Sequence, residues 1–314
     1  MKLIRGICNL KKINSNSAVS IGNFDGIHLG HQKLLSNLYE IGKKNNIPTI
    51  VILFEPQPLE FLNTQNPPKR ITTLQNKIKY IQLWKIDIIL CIKFNEYFSS
   101  LSAEKFIKNV LIKKLNIKFI IIGDDFRFGS KRNGNISLLK KIGYQYNFKV
   151  IEISALLYKN IIKISSTNIR KCLLENKIEL VRKLLGRPFS ILGRVIHGNK
   201  IGRKLGYPTA NILLHKNIPI NNGVYAVKVS CFLNKDFIGI CNIGIKPSYF
   251  HSKKNRLLEV YLFNFNIDLY EKKIEVFLYK KIRDECFFSS IEKLKEQISK
   301  DVKIVKKYFN INYN

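Results

Sequence analysis

Apolar and polar positions along the first half of the chain change period in a regular alternation. Ala18–Ile21 reads as a short buried strand. A glycine-containing loop follows, and then a helix-period segment from Leu29 to Asn45. Pro48–Phe54 is the next strand. Helix-period segments at Leu74–Trp84 and Ala103–Lys113 are each followed by an apolar run, at Ile86–Phe94 and Ile117–Ile122. Leu138–Tyr146 then leads into a strand at Lys149–Ile153. Strands alternating with helices predict parallel βαβ units with helices on both faces. Ligands in such sheets bind at the carboxyl ends of the strands.

After about Gly186 the pattern changes. Segments rich in β-branched and aromatic residues recur between Gly, Pro and Asn turns, at Ser190–Ile196, Val224–Phe232, Phe237–Ile245, Leu257–Phe265 and Lys273–Lys281. That spacing predicts an antiparallel barrel. A final helix over Ile291–Tyr308 carries Leu294, Ile298 and Val302 at helical spacing. The boundary near Leu185–Pro188 is short, and no internal repeat is visible.

Composition narrows the class. With 314 residues, 46% hydrophobic and 24% charged, the chain has enough apolar material for a real core and is no disordered polymer. No apolar run approaches the roughly 20 residues of a membrane-spanning helix. Met1–Leu10 lacks the apolar block of a signal peptide, so a cytoplasmic protein is expected. The six cysteines are far apart, without C-x-x-C spacing, and read as free thiols rather than as a zinc site. The net charge of +32 is spread along the whole chain, mostly as Lys, with no arginine-rich arm. Together with the abundance of Ile, Asn and Lys, this reads as A+T-biased coding rather than as a footprint for nucleic acid.

Two stretches carry candidate chemistry. The first is Gly22-Asn23-Phe24-Asp25-Gly26-Ile27-His28-Leu29-Gly30-His31, between the first of these strands and its helix. The glycines permit close backbone approach, and the helix N-terminus offers free N–H groups to an anion. His28 and His31, three apart, can address one phosphate chain. The alternative is a capped turn with two incidental histidines. Two ligands without a third make a poor metal site, and no Gly-Lys-Ser/Thr marks a Walker loop. Such an H-x-G-H arrangement resembles nucleotidyltransferases that adenylylate small phosphates, where it grips the ATP triphosphate. Ser165, Ser166 and Thr167 open a helix, with Arg170 one turn on. Hydroxyls there are plain caps or, with the arginine, a grip on departing pyrophosphate.

The second stretch runs from Gly193 to Asn211. Gly198, Gly202, Lys204 and Gly206 suit a flap over phosphates. Thr209 and Asn211 alternate on an extended segment, so both can face one Mg²⁺. Glu259, in an otherwise apolar and basic run, is either an exposed strand carboxylate or a general base for a hydroxyl nucleophile.

Taken with Phe54-Glu55-Pro56-Gln57-Pro58, Gly123-Asp124-Asp125-Phe126-Arg127-Phe128-Gly129, Pro208-Thr209-Ala210-Asn211, Asn222-Gly223-Val224-Tyr225, Asn242-Ile243-Gly244 and Lys281-Ile282-Arg283-Asp284-Glu285, these motifs span essentially the whole chain. In this order the sequence resembles the bacterial bifunctional riboflavin kinase/FMN adenylyltransferase family, the FAD synthetases. The resemblance implies a Rossmann-like adenylyltransferase domain over residues 1–185 and a riboflavin-kinase β-barrel with a terminal helix over 186–314. It implies ATP-dependent conversion of riboflavin to FMN, then of FMN to FAD, with Mg²⁺ held at Thr209 and Asn211. Glu259 would be the kinase base, and Gly198, Gly202, Lys204 and Gly206 would belong to its ATP site. His28 and His31 would act in adenylyl transfer, with ATP at Gly22, Asn23, Phe24, Asp25, Gly30, Ser165, Ser166, Thr167 and Arg170. The flavin would lie at Asp125, Phe126 and Phe128 in the first domain and at Arg283 and Glu285 in the second.

Three positions depart from the family pattern. Tyr261 stands where His is expected, Lys246 where Arg is, and Ser248 where Thr is. Lysine cannot reproduce bidentate arginine geometry, so an adenylyltransferase with an impaired kinase is one alternative reading. Others are a nucleotidyltransferase for a different small phosphate, which leaves the barrel unexplained, and a basic RNA-binding protein, which calls for clustered charge. The expected partners are small molecules, with no specific nucleic acid and no membrane. Weak self-association is compatible with these features.

Overall fold

The structure is a computed structural model that describes residues 1–198, 201–214, 217–231, 235–246 and 255–311. The chain divides into two compact units, Met1–Asn168 and Ile169–Asn314.

In the first unit six parallel strands form one sheet. They are β1 (Lys2–Arg5), β2 (Ser17–Ile21), β3 (Thr49–Glu55), β4 (Ile88–Lys93), β5 (Ile117–Gly123) and β6 (Lys149–Ile153), in the order β1-β4-β3-β2-β5-β6. Parallel strands are buried on both faces, which is why these segments are nearly continuous in Ile, Val and Leu. One face packs Val19, Ile50, Ile52, Ile120 and Ile122 against Phe106, Leu111 and Leu139. The other packs Val51, Leu53, Ile89 and Ile121 against Leu35, Leu38 and Ile81. After β2 the chain builds outward through β3 and β4, then crosses back to place β5 on the other side of β2. The carboxyl end of β2 is therefore a topological switch point, and the Gly22–His31 loop leaves the sheet there. The helix Leu29–Asn45 ends at Asn46, whose left-handed backbone donates to Gly42 and Lys43. The segment expected as one helix over Ala103–Lys113 is α-helical over Ala103–Phe106 and π-helical over Ile107–Ile112. Two short strands, β7 (Leu157–Tyr158) and β8 (Ile162–Lys163), make a separate hairpin.

In the second unit, β9 (Phe189–Ile196), β10 (Ala210–Leu213), β11 (Gly223–Ser230), β12 (Asp236–Lys246), β13 (Asn255–Leu262) and β14 (Lys273–Arg283) close into an antiparallel barrel, ordered β10-β13-β12-β11-β14-β9. Closure leaves no free edge. The helix Ile178–Leu185 packs on β14 and β9, burying Ile178, Val181, Leu184 and Leu185. The terminal helix Ile291–Tyr308 packs on β12 and β14, with Val305 buried against Val224, Ala226 and Ile240. The expected architecture, a parallel α/β unit followed by an antiparallel barrel and a terminal helix, is the one observed.

Candidate functional sites

Each unit carries its own site. In the first, Phe24, Gly26 and Ile27 all have positive φ, at 47°, 86° and 42°. Only Gly adopts such angles freely, so Phe24 and Ile27 are held there by their surroundings. Both side chains are almost fully buried. The turn delivers His28 to the N-cap of the following helix, where its Nδ1 accepts from the His31 backbone N–H at 3.3 Å. With Nδ1 an acceptor, the neutral His28 ring carries its proton on Nε2. The two imidazoles stack, 3.7 Å between centroids and 17° between planes. Phe24 lies 5.1 Å from the His31 ring. A side chain at Gly30 would press on the His28 ring, with atoms at 3.2 Å.

Of Ser165, Ser166 and Thr167, it is Ser166 that reaches the same loop. Ser165 Oγ accepts from Asn168 N, and Ser166 Oγ donates to the Asp25 carbonyl at 2.8 Å. Thr167 is exposed. Arg170 follows on the helix Ser166–Leu174, within the second compact unit.

Beside the loop opens an apolar cavity of about 680 Å³, lined by Gly22, Asn23, Phe54, Pro58, Phe126 and Phe128 among others. Phe126 and Phe128 stack with centroids 5.4 Å apart. Asp125 is at the rim, paired with Lys163 at 3.1 Å. That hydrogen bond holds Lys163 above its ordinary pKa, although both side chains are largely exposed. The sequence reading missed Phe94 and Phe98, which line the cavity and close an aromatic cluster with Phe54. Their spacing in Phe94-Asn95-Glu96-Tyr97-Phe98 was the available signal. Lys131 and Arg132, with left-handed backbone, also border this cavity.

In the barrel, register sets the geometry. Glu259 on β13 is flanked by Asn211 on β10 and Asn242 on β12. All three line a cavity of about 430 Å³ together with Thr209, Arg283 and Glu285. A Cβ on Gly198 would meet the Asn211 side-chain amide, so any other residue at 198 would displace Asn211 from its place beside Glu259. The segment expected as a flap is partly helical: Ile201–Lys204 forms one turn, closed by Tyr207 N donating to Gly202 O at 2.8 Å. Gly206 takes φ 85° to make that exit. Gly202 lines the cavity, and Lys204 is exposed. Tyr261 also faces the cavity and meets Tyr207 edge-on at 5.3 Å. Burial raises its phenol pKa. Arg283 Nε donates to Asp301 Oδ2 at 2.9 Å, and Gln297 donates to Oδ1. The terminal helix thereby reaches into the cavity, a role for Asp301 that its sequence context does not signal. Glu285 accepts from Asn222, which in turn accepts from Arg256. Ser248 lies outside the described residues, as do Asn199, Lys200 and the side chain of Lys246.

A parallel α/β unit with a histidine-bearing phosphate loop at its switch point, followed by a barrel that pairs a carboxylate with amide and hydroxyl oxygens, defines a two-site transferase of phosphate chemistry. Comparison with known proteins specifies which. Residues 10–168 match the FAD synthetase family model and residues 185–309 the riboflavin kinase model. The chain is 88% identical over 311 residues, 99% of its length and 100% of the relative's, to the bifunctional riboflavin kinase/FMN adenylyltransferase of Buchnera aphidicola subsp. Schizaphis graminum. It is 43% identical to the protein of that name from Escherichia coli strain K12, over 99% of both chains. A solved structure of a protein named as a macrolide-efflux protein of Streptococcus pneumoniae aligns over 100% of both chains at 29% identity, with a TM-score of 0.82. Among the described residues no helix is long and apolar enough to cross a membrane. The chain belongs to the bifunctional riboflavin kinase/FMN adenylyltransferase family. It is an enzyme with both activities, and riboflavin, FMN, FAD and ATP are its substrates and products.

Proposed function

We propose that the two activities are divided between residues 1–185, which make FAD, and 186–314, which make FMN, and that both run in the cytoplasm. The observation that carries the kinase half is the alignment of Glu259 with Asn211 across β10 and β13 in one cavity. Glu259 takes the proton of the riboflavin 5′-hydroxyl as that oxygen attacks the γ-phosphorus of ATP and ADP departs. Thr209 and Asn211 supply a hydroxyl and an amide oxygen, hard donors that suit Mg²⁺ bound mainly through water and substrate phosphates. When bound, the ion neutralises charge on the phosphates. Gly198, Gly202 and Gly206 cover the nucleotide, with Lys204 at the solvent side. Arg283 and Glu285 hold the flavin.

In the adenylyltransferase an FMN phosphate oxygen attacks the α-phosphorus of ATP, and the bond to the pyrophosphate oxygen breaks. The FMN phosphate is already ionised near neutral pH, so this step needs no strong base. His28 and His31 stabilise charge at the phosphates, supported by their stacking at the helix N-terminus. Gly22, Asn23, Phe24 and Gly30 shape the ATP loop, and Ser165, Ser166, Thr167 and Arg170 receive the pyrophosphate. The isoalloxazine ring enters the aromatic cavity at Phe126 and Phe128, with Asp125 at its rim.

The test is purified protein with riboflavin, ATP and Mg²⁺, with flavins separated by chromatography over time. FMN appearing first and FAD later is expected, and both should stop on chelation of the metal. FAD from added FMN but no product from riboflavin would sink the kinase assignment.

A further inference from the structure

The turn that presents the two histidines is anchored from below by a segment to which the sequence reading gave no role. Asp25 is 1% exposed and points inward. Its Oδ2 accepts from Ile71 N at 3.1 Å, and its Oδ1 accepts from Thr72 N at 2.9 Å and from Thr72 Oγ1 at 3.0 Å. The same Thr72 hydroxyl oxygen accepts from Gly26 N at 2.9 Å. One buried hydroxyl thus bridges the side chain of Asp25 and the backbone of Gly26. Both lie inside the stretch where Phe24, Gly26 and Ile27 hold positive φ. Thr73, the next residue, caps the helix Leu74–Gln82. Lys77 in that helix is 1% exposed; burial lowers its pKa, and the charges of Asp25 and Glu55 oppose that shift.

We propose that Thr72 is a positioning residue of the adenylyltransferase, forming with Asp25 a buried strut that holds the strained turn so that His28 and His31 face the ATP phosphates. The proposal rests on the reading that those histidines serve adenylyl transfer. It changes the role of Asp25, which acts on the loop from within rather than on the nucleotide. The physical argument is that residues at positive φ relax unless held. Removing the hydroxyl takes one buried hydrogen bond from Gly26 N and one from Asp25 Oδ1, and with them the bridge between the Asp25 side chain and the Gly26 backbone. The turn then shifts, and a displacement of about 1 Å at reacting groups costs on the order of 100-fold in rate. Most of the flavin cavity, including Phe54, Phe94, Phe98, Phe126 and Phe128, comes from other segments, and only Gly22 and Asn23 of this loop reach it, ahead of the strained turn, so FMN affinity should be largely spared.

The test uses full-length Thr72→Val, Thr72→Ser and His31→Ala. Conversion of FMN to FAD gives kcat and KM, FMN binding is followed by flavin fluorescence, and riboflavin phosphorylation by the same protein is the internal control. Thr72→Val should lower kcat for FAD formation about 10- to 100-fold, with FMN affinity and kinase rate unchanged. Thr72→Ser, which keeps the hydroxyl, should restore most of the rate. An unchanged kcat in Thr72→Val would overturn the strut, as would a Thr72→Ser defect as large as that of Thr72→Val. Loss of FMN binding along with kcat would also overturn it, because Thr72 would then be needed for the fold of the unit. Wild-type FAD formation by His31→Ala would instead overturn the underlying reading of the histidines.

Discussion

Glu259 shows how a single residue would carry the proposed kinase chemistry. It sits mid-strand, where a carboxylate has no packing value, and register places Asn211 and Asn242 beside it. Replacing it by Gln keeps the shape and removes only the basic oxygen. Glu259→Gln should reduce riboflavin phosphorylation about 10²- to 10⁴-fold, the usual worth of a positioned general base, and leave FMN adenylylation intact. Chromatography with each flavin supplied separately reads both activities. An equal fall in the two would mean that the substitution had damaged the whole protein. Tyr261, two residues on, was visible in sequence only as a departure from a pattern. Its ring packs edge-on to Tyr207, so the cavity wall and the end of the glycine segment meet through two aromatics.

At the level of elements, two helices bury charge and make separate predictions. The terminal helix places Asp301, 2% exposed, against Arg283. Asp301→Ala should raise the riboflavin KM of the kinase and cost about 2 kcal/mol of stability, as expected for a hydrogen bond to a charged group. Denaturant midpoints and FMN-forming kinetics check this, and FAD formation from FMN should not move. The helix Leu74–Gln82 buries Lys77, and desolvation pushes its pKa below 10.5, with Asp25 and Glu55 opposing. The unfolded chain then binds more protons than the folded one between the lowered pKa and 10.5. Lys77 therefore weakens folding below that window, and the cost disappears as pH rises through it. Compared with Lys77→Met, wild type should gain up to about 1.4 kcal/mol per pH unit within the window. Parallel unfolding curves from pH 8 upward (an assay range of roughly three units) read the difference, and a pH-independent difference would show that Lys77 is not displaced. Periodicity located both helices closely, because each has an amphipathic stripe. It could not show which polar residues lay inside, since Asp301 and Lys77 look like ordinary surface charges until their partners are brought in from other parts of the chain.

For the whole molecule, the strands with long apolar runs were legible, and so was the change from parallel to antiparallel pattern near residue 186. Short elements were not. β10 has four residues; Thr209 and Asn211 read as an extended segment, but one too short to announce a strand of the barrel. β1 reads too polar at Lys2 and Arg5 to announce a strand. The Gly22–His31 loop and Glu259 stood out as candidates because their residue types are rare in plain turns and strands, and the structure places each beside a cavity. Thr72 and Phe98 were not, because their meaning depends on contacts with Asp25 and Phe54 that cross more than 40 positions of sequence. Each cavity is lined by residues of one compact unit alone. That independence predicts that the two activities complement in trans. His31→Ala should convert riboflavin to FMN and stop, and Glu259→Gln should do nothing with riboflavin yet adenylylate FMN. Mixed, the two full-length variants should make FAD from riboflavin after a lag, because FMN released by one is substrate for the other. The lag should shorten as the Glu259→Gln share of the mixture rises. If the mixture accumulates FMN without FAD while Glu259→Gln alone still uses added FMN, the intermediate does not leave the chain that made it, and the two sites are coupled in a way their separate linings do not reveal.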